Sequence, residues 1–213
     1  MQRDHIRLKM LPVDEYYFIE DDPIRFYFAP ILGRLYRRRV ELVLEELTGG
    51  KRVLDVGYGS GVAFLNLKDM YQSSYGADLF VPPNAVKKVF QDHGIPLNLR
   101  KSSVLDLPYE NGFFDSVIAI SILEHLKPNQ QMSAFKEMKR ILKPGGQIVY
   151  GVPIERPLMV FLFKALGVNI HDFHFSTEKD VAETARKTLT EIRIKNQTLP
   201  FGGSIYEVGH FVK

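Results

Sequence analysis

The sequence predicts an α/β fold: a doubly wound, mostly parallel, seven-stranded sheet with an antiparallel strand in a C-terminal hairpin. Three observations predict it. Short apolar runs alternate with helix-periodic segments from Arg52 to Val152, the pattern of right-handed βαβ units. A glycine-rich run, Gly57-Tyr58-Gly59-Ser60-Gly61, joins the first strand-like run to the helix after it. Only five residues, Pro200 to Ser204, separate the last two strand-like runs, which permits an antiparallel hairpin but no parallel crossover.

The elements follow in order. The first 28 residues read as irregular and ring-rich, with Tyr16, Tyr17, Phe18, Phe26, Tyr27 and Phe28 interrupted by prolines. Tyr36, Val40, Val43, Leu44 and Leu47 then form one stripe of an amphipathic helix, stopped at Thr48-Gly49-Gly50. Strands are predicted at Arg52–Val56, Ser74–Asp78, Leu97–Lys101, Phe114–Ser121 and Gln147–Val152. Helices between them are predicted at Val62–Met70, at Asn84–Gln91, and around Met132, Phe135, Met138 and Leu142, the last stopped by Lys143-Pro144-Gly145-Gly146. Arg156–Gly167 reads as an apolar helix. Thr177 and Asp180 form a capping pair for a helix running to about Thr188. Glu191–Leu199 and Ile205–Phe211 are the hairpin strands.

A chain of 213 residues holds one sizeable core, so a single domain over 1–213 is expected. Within it, 1–48 contributes to a substrate lid, 49–153 forms the ligand-binding core, and 154–213 supplies the substrate side and the hairpin. The chain lacks cysteine, which excludes a disulfide scaffold, a thiolate metal site and a cysteine nucleophile. A net charge of +3 is far from that of a dedicated nucleic-acid binder. The greasy run from Pro157 to Val168 is too short to span a bilayer. A cytoplasmic location is the expectation.

The glycine run carries the chemistry. Glycines let the main chain turn tightly and let a ligand lie against bare backbone before a helix N-terminus. The spacing is D-x-G-x-G-x-G from Asp55, with Gly61 as its third glycine. A G-x-G-x-x-G loop would need glycine where Val62 stands, and a triphosphate loop would need a lysine. At the end of the second predicted strand stands Asp78, a carboxylate able to accept both hydroxyls of a ribose.

Asp55-Val-Gly57-Tyr-Gly59-Ser-Gly61, Gly76-Ala-Asp78, Asp106-Leu-Pro, Phe114-Asp-Ser-Val-Ile-Ala, Leu123-Glu-His125-Leu and Leu142-Lys-Pro-Gly-Gly together resemble the class I S-adenosylmethionine-dependent methyltransferases. The branch they are most similar to is the small-molecule one that includes ubiquinone/menaquinone C-methyltransferases. The resemblance runs from about Val40 to Pro153. It implies a Rossmann-like sheet whose seventh strand is antiparallel, with S-adenosylmethionine as cofactor and S-adenosylhomocysteine as product. It also implies roles. Asp55, Gly57, Gly59 and Gly61 form the loop that lines the amino-acid tail. Asp78 holds the ribose, Leu79 packs on the adenine, and Asp106 accepts from the adenine amino group beside the Leu107 amide. Ser121 faces the methionine part. Tyr58 departs from the family, which prefers a small residue there; it either contacts cofactor or substrate or is a surface aromatic covering the loop.

An activated methyl needs chiefly alignment with its nucleophile, and a base only where the nucleophile must lose a proton. The candidates are His174, in His171-Asp172-Phe-His174, and His125 after the fourth strand. No third metal ligand is evident beside His171 and His174, so no metal is expected. Cytosine C5 methylation needs a cysteine, and the motif of base-amino methyltransferases is missing after the fourth strand. The expected function is transfer of methyl to a small, apolar or aromatic acceptor, with nucleic acid disfavoured. Leu158–Phe163 reads as a helix covering the sheet's edge or as an apolar substrate entry touching a membrane transiently. Arg34, Arg37, Arg38 and Arg39 read as a solvated face or an anion site. The competing readings are an RNA or protein methyltransferase, and a cofactor-binding protein without methyl transfer.

Overall fold

In the computed structural model, described over residues 5–19, 22–154, 174–199 and 202–213, seven strands form one sheet of order β3-β2-β1-β4-β5-β7-β6. They are β1 (Gly50–Val56), β2 (Tyr71–Asp78), β3 (Leu97–Lys101), β4 (Phe114–Ile120), β5 (Leu142–Pro153), β6 (Thr190–Thr198) and β7 (Ser204–Val212). The first five are mutually parallel, and β7 pairs antiparallel with both β5 and β6. Strand order reverses between β1 and β4, so a crevice opens beyond their C-terminal ends.

The helices are α1 (Ile24–Phe28), α2 (Leu32–Glu45), α3 (Phe64–Met70), α4 (Pro83–Asp92), α5 (Pro128–Ile141) and α6 (Glu178–Arg186). They bury apolar stripes on both faces of the sheet. One core gathers Val40, Val43 and Leu44 of α2 with Phe64, Leu67, Val86 and Phe90 of α3 and α4. The other gathers Phe135, Met138 and Ile141 of α5 with Val181 and Ala185 of α6. The α6 cap forms as the sequence predicts: Thr177 Oγ1 accepts from the Asp180 amide at 3.3 Å, and Asp180 Oδ2 accepts from the Thr177 amide at 2.8 Å.

Two local expectations change. The N-terminal stretch is not wholly irregular: a 3-10 turn at Val13–Glu15 and α1 lie within it. Tyr16 is buried in its packing, its ring 6.4 Å from that of Phe90. At the other site, Leu142-Lys-Pro-Gly-Gly ends α5 but does not stay a turn. Leu142 already pairs with Phe114, and a register shift absorbs the irregularity before Gln147 meets Ser116. The predicted helix at 156–167 lies outside the described residues.

Candidate active site

The crevice at the strand reversal is a cavity of about 470 Å³. Asp55, Gly57, Tyr58, Gly59, Asp78, Ser121, His125 and His174 all line it. The main chain leaves β1 at Gly57 with φ +71°, and a Cβ there would lie 2.1 Å from Ile122 Cδ1. Only glycine satisfies both constraints. Gly61 stands outside the lining. A side chain there would strike Phe64 and Phe90, so its part is to let α3 and α4 close on the loop.

Asp78, at the tip of β2, is buried. Its Oδ1 accepts from the amides of Phe80 (2.8 Å) and Val81 (3.0 Å), and its Oδ2 from Gly59 (3.1 Å). The carboxylate therefore ties the β2 turn to the glycine loop while facing the cavity. Asp55 is 4% exposed, lines the same cavity, and accepts no hydrogen bond from the described residues. Burial, and then the charge of Asp78, push its carboxyl well above the usual carboxylate range.

Tyr58 is not a surface aromatic. It is 4% exposed, its ring centroid lies 6.0 Å from that of Phe64, and its hydroxyl donates to Val81 carbonyl at 3.3 Å. Room for it comes from Gly76 on β2, where a Cβ would lie 2.6 Å from Tyr58 Cδ1. The ring departs from the family's small residue because this chain tucks it into the core beneath the loop.

Ser121 directly follows β4 with φ +55°, a left-handed conformation rare outside glycine. Its amide donates to Gly151 carbonyl at 2.8 Å, and its hydroxyl lies 2.9 Å from that of Tyr206. Leu79, Asp106 and Leu107 lie outside the lining. Leu79 is 47% exposed, Asp106 is exposed, and the Leu107 amide donates to Glu137 Oε1 at 2.9 Å.

At the other end of the cavity His125 and His174 meet edge-to-face, 5.1 Å between centroids. Backbone bonds hold the two segments together: the Phe175 amide donates to Glu124 carbonyl at 2.9 Å, and Ser176 Oγ donates to Leu126 carbonyl at 2.8 Å. Glu124 is buried, and it brings one ligand-capable atom within 4.8 Å of one on each histidine. A third group thus exists beside His174, which corrects the expectation drawn from His171 and His174 spacing alone. It comes from another part of the chain, out of reach of sequence spacing. His171 and Asp172 lie outside the described residues.

The sequence reading does not name Asp22, and names Arg39 only as one of an arginine run; both line the cavity. Asp22 precedes α1, and its Oδ1 accepts from the Ile24 amide at 2.9 Å and from Ser60 Oγ at 3.4 Å. Arg39, on α2, stacks over Tyr36 (4.3 Å to the centroid) and Tyr206 (5.1 Å). It makes no hydrogen bond or ion pair with the described residues, and its Nε is buried. The arginine run is therefore no single anion patch. Arg38 pairs with Glu45 at 2.6 Å, Arg37 bonds Tyr27 carbonyl, and only Arg39 faces the cavity.

Residues 54–150 match the family model described as a methyltransferase domain. This stretch of the chain is a methyltransferase domain. It is 28% identical over 156 residues to a ubiquinone biosynthesis O-methyltransferase of Pseudomonas aeruginosa, covering 68% of this chain and 66% of that one. It is 32% identical over 115 residues to a tRNA (carboxymethyluridine(34)-5-O)-methyltransferase of Arabidopsis thaliana, covering 54% and 27%. The chain thus spans from about a quarter to about two thirds of the length of these curated relatives. Among solved structures, a geranyl diphosphate C-methyltransferase from Streptomyces coelicolor superposes with a TM-score of 0.70 at 15% identity. The match covers 98% of this chain and 90% of that one, and it bears on the fold alone.

The cofactor of this family is S-adenosylmethionine, and the cavity's donor set suits it. Bare main chain at Gly57 and Gly59, an Asp55 carboxyl and an Arg39 guanidinium without hydrogen-bond partners among the described residues, and a buried carboxylate at Asp78 match a zwitterionic tail and a ribose diol. The methyltransferase would draw from that cofactor a sulfonium-activated methyl group.

Proposed function

We propose that this methyltransferase moves the sulfonium methyl to a small, apolar or aromatic acceptor by in-line displacement. The observation that carries the reading is the polarity of the cavity. Asp55 and Asp78 line it at the glycine loop, whereas Ile120, Ile122, Pro153, Ile154 and Ile205 line it beside Ser121, with Glu124, His125 and His174 as the polar groups there. In this assignment Gly57 and Gly59 receive the tail, Arg39 its carboxylate, and Asp78 the ribose. Leu79 and Asp106 stand toward the adenine, and Ser121 toward the methionine chain. Apolar walls exclude water and leave the acceptor to be aligned by shape. His174, beside Glu124 and His125, takes the proton where the acceptor is a hydroxyl or phenol. The curated relatives in ubiquinone biosynthesis support a ring-bearing acceptor.

A second reading is favoured by the relatives that methylate tRNA: an RNA acceptor whose modified base enters the same cavity. Methyl-labelled cofactor incubated with the protein and a cell extract separates the two. Label in a low-mass product supports the first. Label in RNA, with steeply salt-dependent binding, supports the second. Cofactor binding without any labelled product assigns a binding protein.

A further inference from the structure

We propose that Asp22 is the anchor for the ammonium of the cofactor's amino-acid tail, so that the segment before α1 completes the donor site. The inference rests on the cofactor reading above. Asp22 Oδ1 is held by two donors, the Ile24 amide at 2.9 Å and Ser60 Oγ at 3.4 Å. Together with the Ser60 backbone amide they fix the carboxylate at the cavity wall. Oδ2 lies 3.2 Å from where a Cβ on Gly59 would stand, and Asp22 lines the cavity. A charged oxygen is thus held against the bare backbone on which the tail would lie.

The charges around it point to a zwitterion. Asp55, 4% exposed and without a hydrogen-bond partner among the described residues, faces the same cavity. So does Arg39, which pairs with neither carboxylate and has a buried Nε without a partner. Asp22, Asp55 and Arg39 all line this one cavity. Opposite charges that share a cavity without neutralising each other cost free energy when it is empty. A ligand carrying both an ammonium and a carboxylate relieves both costs. An amino-acid tail is such a ligand, and a bare nucleoside is not.

The test is a cycle between protein and ligand by calorimetry. Asp22→Asn keeps the acceptor for the Ile24 amide and removes the charge. It should weaken S-adenosylhomocysteine at least tenfold. It should change binding of 5′-methylthioadenosine, which has no amino-acid tail, less than twofold. The homocysteine analogue lacking its amino group should likewise lose less than twofold. Equal losses for all three ligands would reduce Asp22 to a structural role and overturn the proposal. So would an unchanged S-adenosylhomocysteine affinity. A wild-type chain that binds none of them refutes the cofactor reading itself, and the anchor with it.

Discussion

Neutralising Asp78 separates its two duties. In Asp78→Asn the shape is kept, but one carboxylate oxygen becomes an amide nitrogen. Oδ1 can still accept from Phe80 and Val81, at 2.8 and 3.0 Å in the wild type. The nitrogen then faces the Gly59 amide, where Oδ2 now accepts at 3.1 Å, so one bond is lost and donor meets donor. Hydrogen bonds to a charged group contribute about 1.5–3 kcal/mol each. Against that loss, removing the charge relieves its repulsion of Asp55. A net destabilisation of about 1–2 kcal/mol follows, a fall in Tm of roughly 2–8 °C for a chain of this size. A ribose diol loses its charged acceptor at the same time. That costs about 1–3 kcal/mol, roughly a 5- to 150-fold rise in the Kd for S-adenosylhomocysteine. Calorimetry and thermal unfolding read the two effects separately. A lowered Tm with an unchanged Kd would refute the reasoning, leaving Asp78 only its part in holding the loop.

Three further outcomes are expected. Tyr58→Ala should destabilise by about 3–5 kcal/mol, as truncating a buried ring does; Tyr58→Phe, losing only the bond to Val81, should cost about 1 kcal/mol or less by urea denaturation. Glu46 is buried, but hydrogen bonds and ion pairs from His210 and Lys195, with Arg193 nearby, outweigh that burial and hold its pKa at about 2. Its stabilisation is therefore present above its ordinary value of 4.5 and is lost as pH falls toward about 2, so Glu46→Gln should flatten that limb of the stability–pH curve. His174→Gln should lower kcat by about 10²–10⁴ if the histidine is the base, with S-adenosylhomocysteine affinity unchanged. Turnover that collapses with a chelator and returns with a divalent cation would instead give Glu124, His125 and His174 to a metal.

Much of the fold is legible in the sequence because its signals are short-range. Leu97–Lys101 is a strand at the residues expected, and β6 and β7 pair antiparallel as the short connection read in the sequence requires. The glycine loop and Asp78 are equally local, one following β1 and one ending β2. What was missed depends on chain segments meeting in space. Tyr58 is buried because Gly76, on the neighbouring strand, has no side chain to oppose it. Nothing around Tyr58 in sequence announces that. Asp22 belongs to no motif, and Arg39 stands apart from the rest of its arginine run only when α1 and α2 pack beside the loop. The Glu124–His125–His174 group joins the end of β4 to the segment before α6, held by backbone bonds that no periodicity encodes. The β5 start at Leu142 was hidden for a different reason. Proline and glycine normally mark turns, yet here pairing with Phe114 carries the strand through them.

The most direct measurement of the central claim is a crystal structure of this chain grown with S-adenosylhomocysteine. The account predicts density for its amino-acid tail on the main chain of Gly57 and Gly59, with the ribose hydroxyls on the Asp78 carboxylate. An empty crevice at saturating ligand, or the nucleoside bound elsewhere on the molecule, would contradict it.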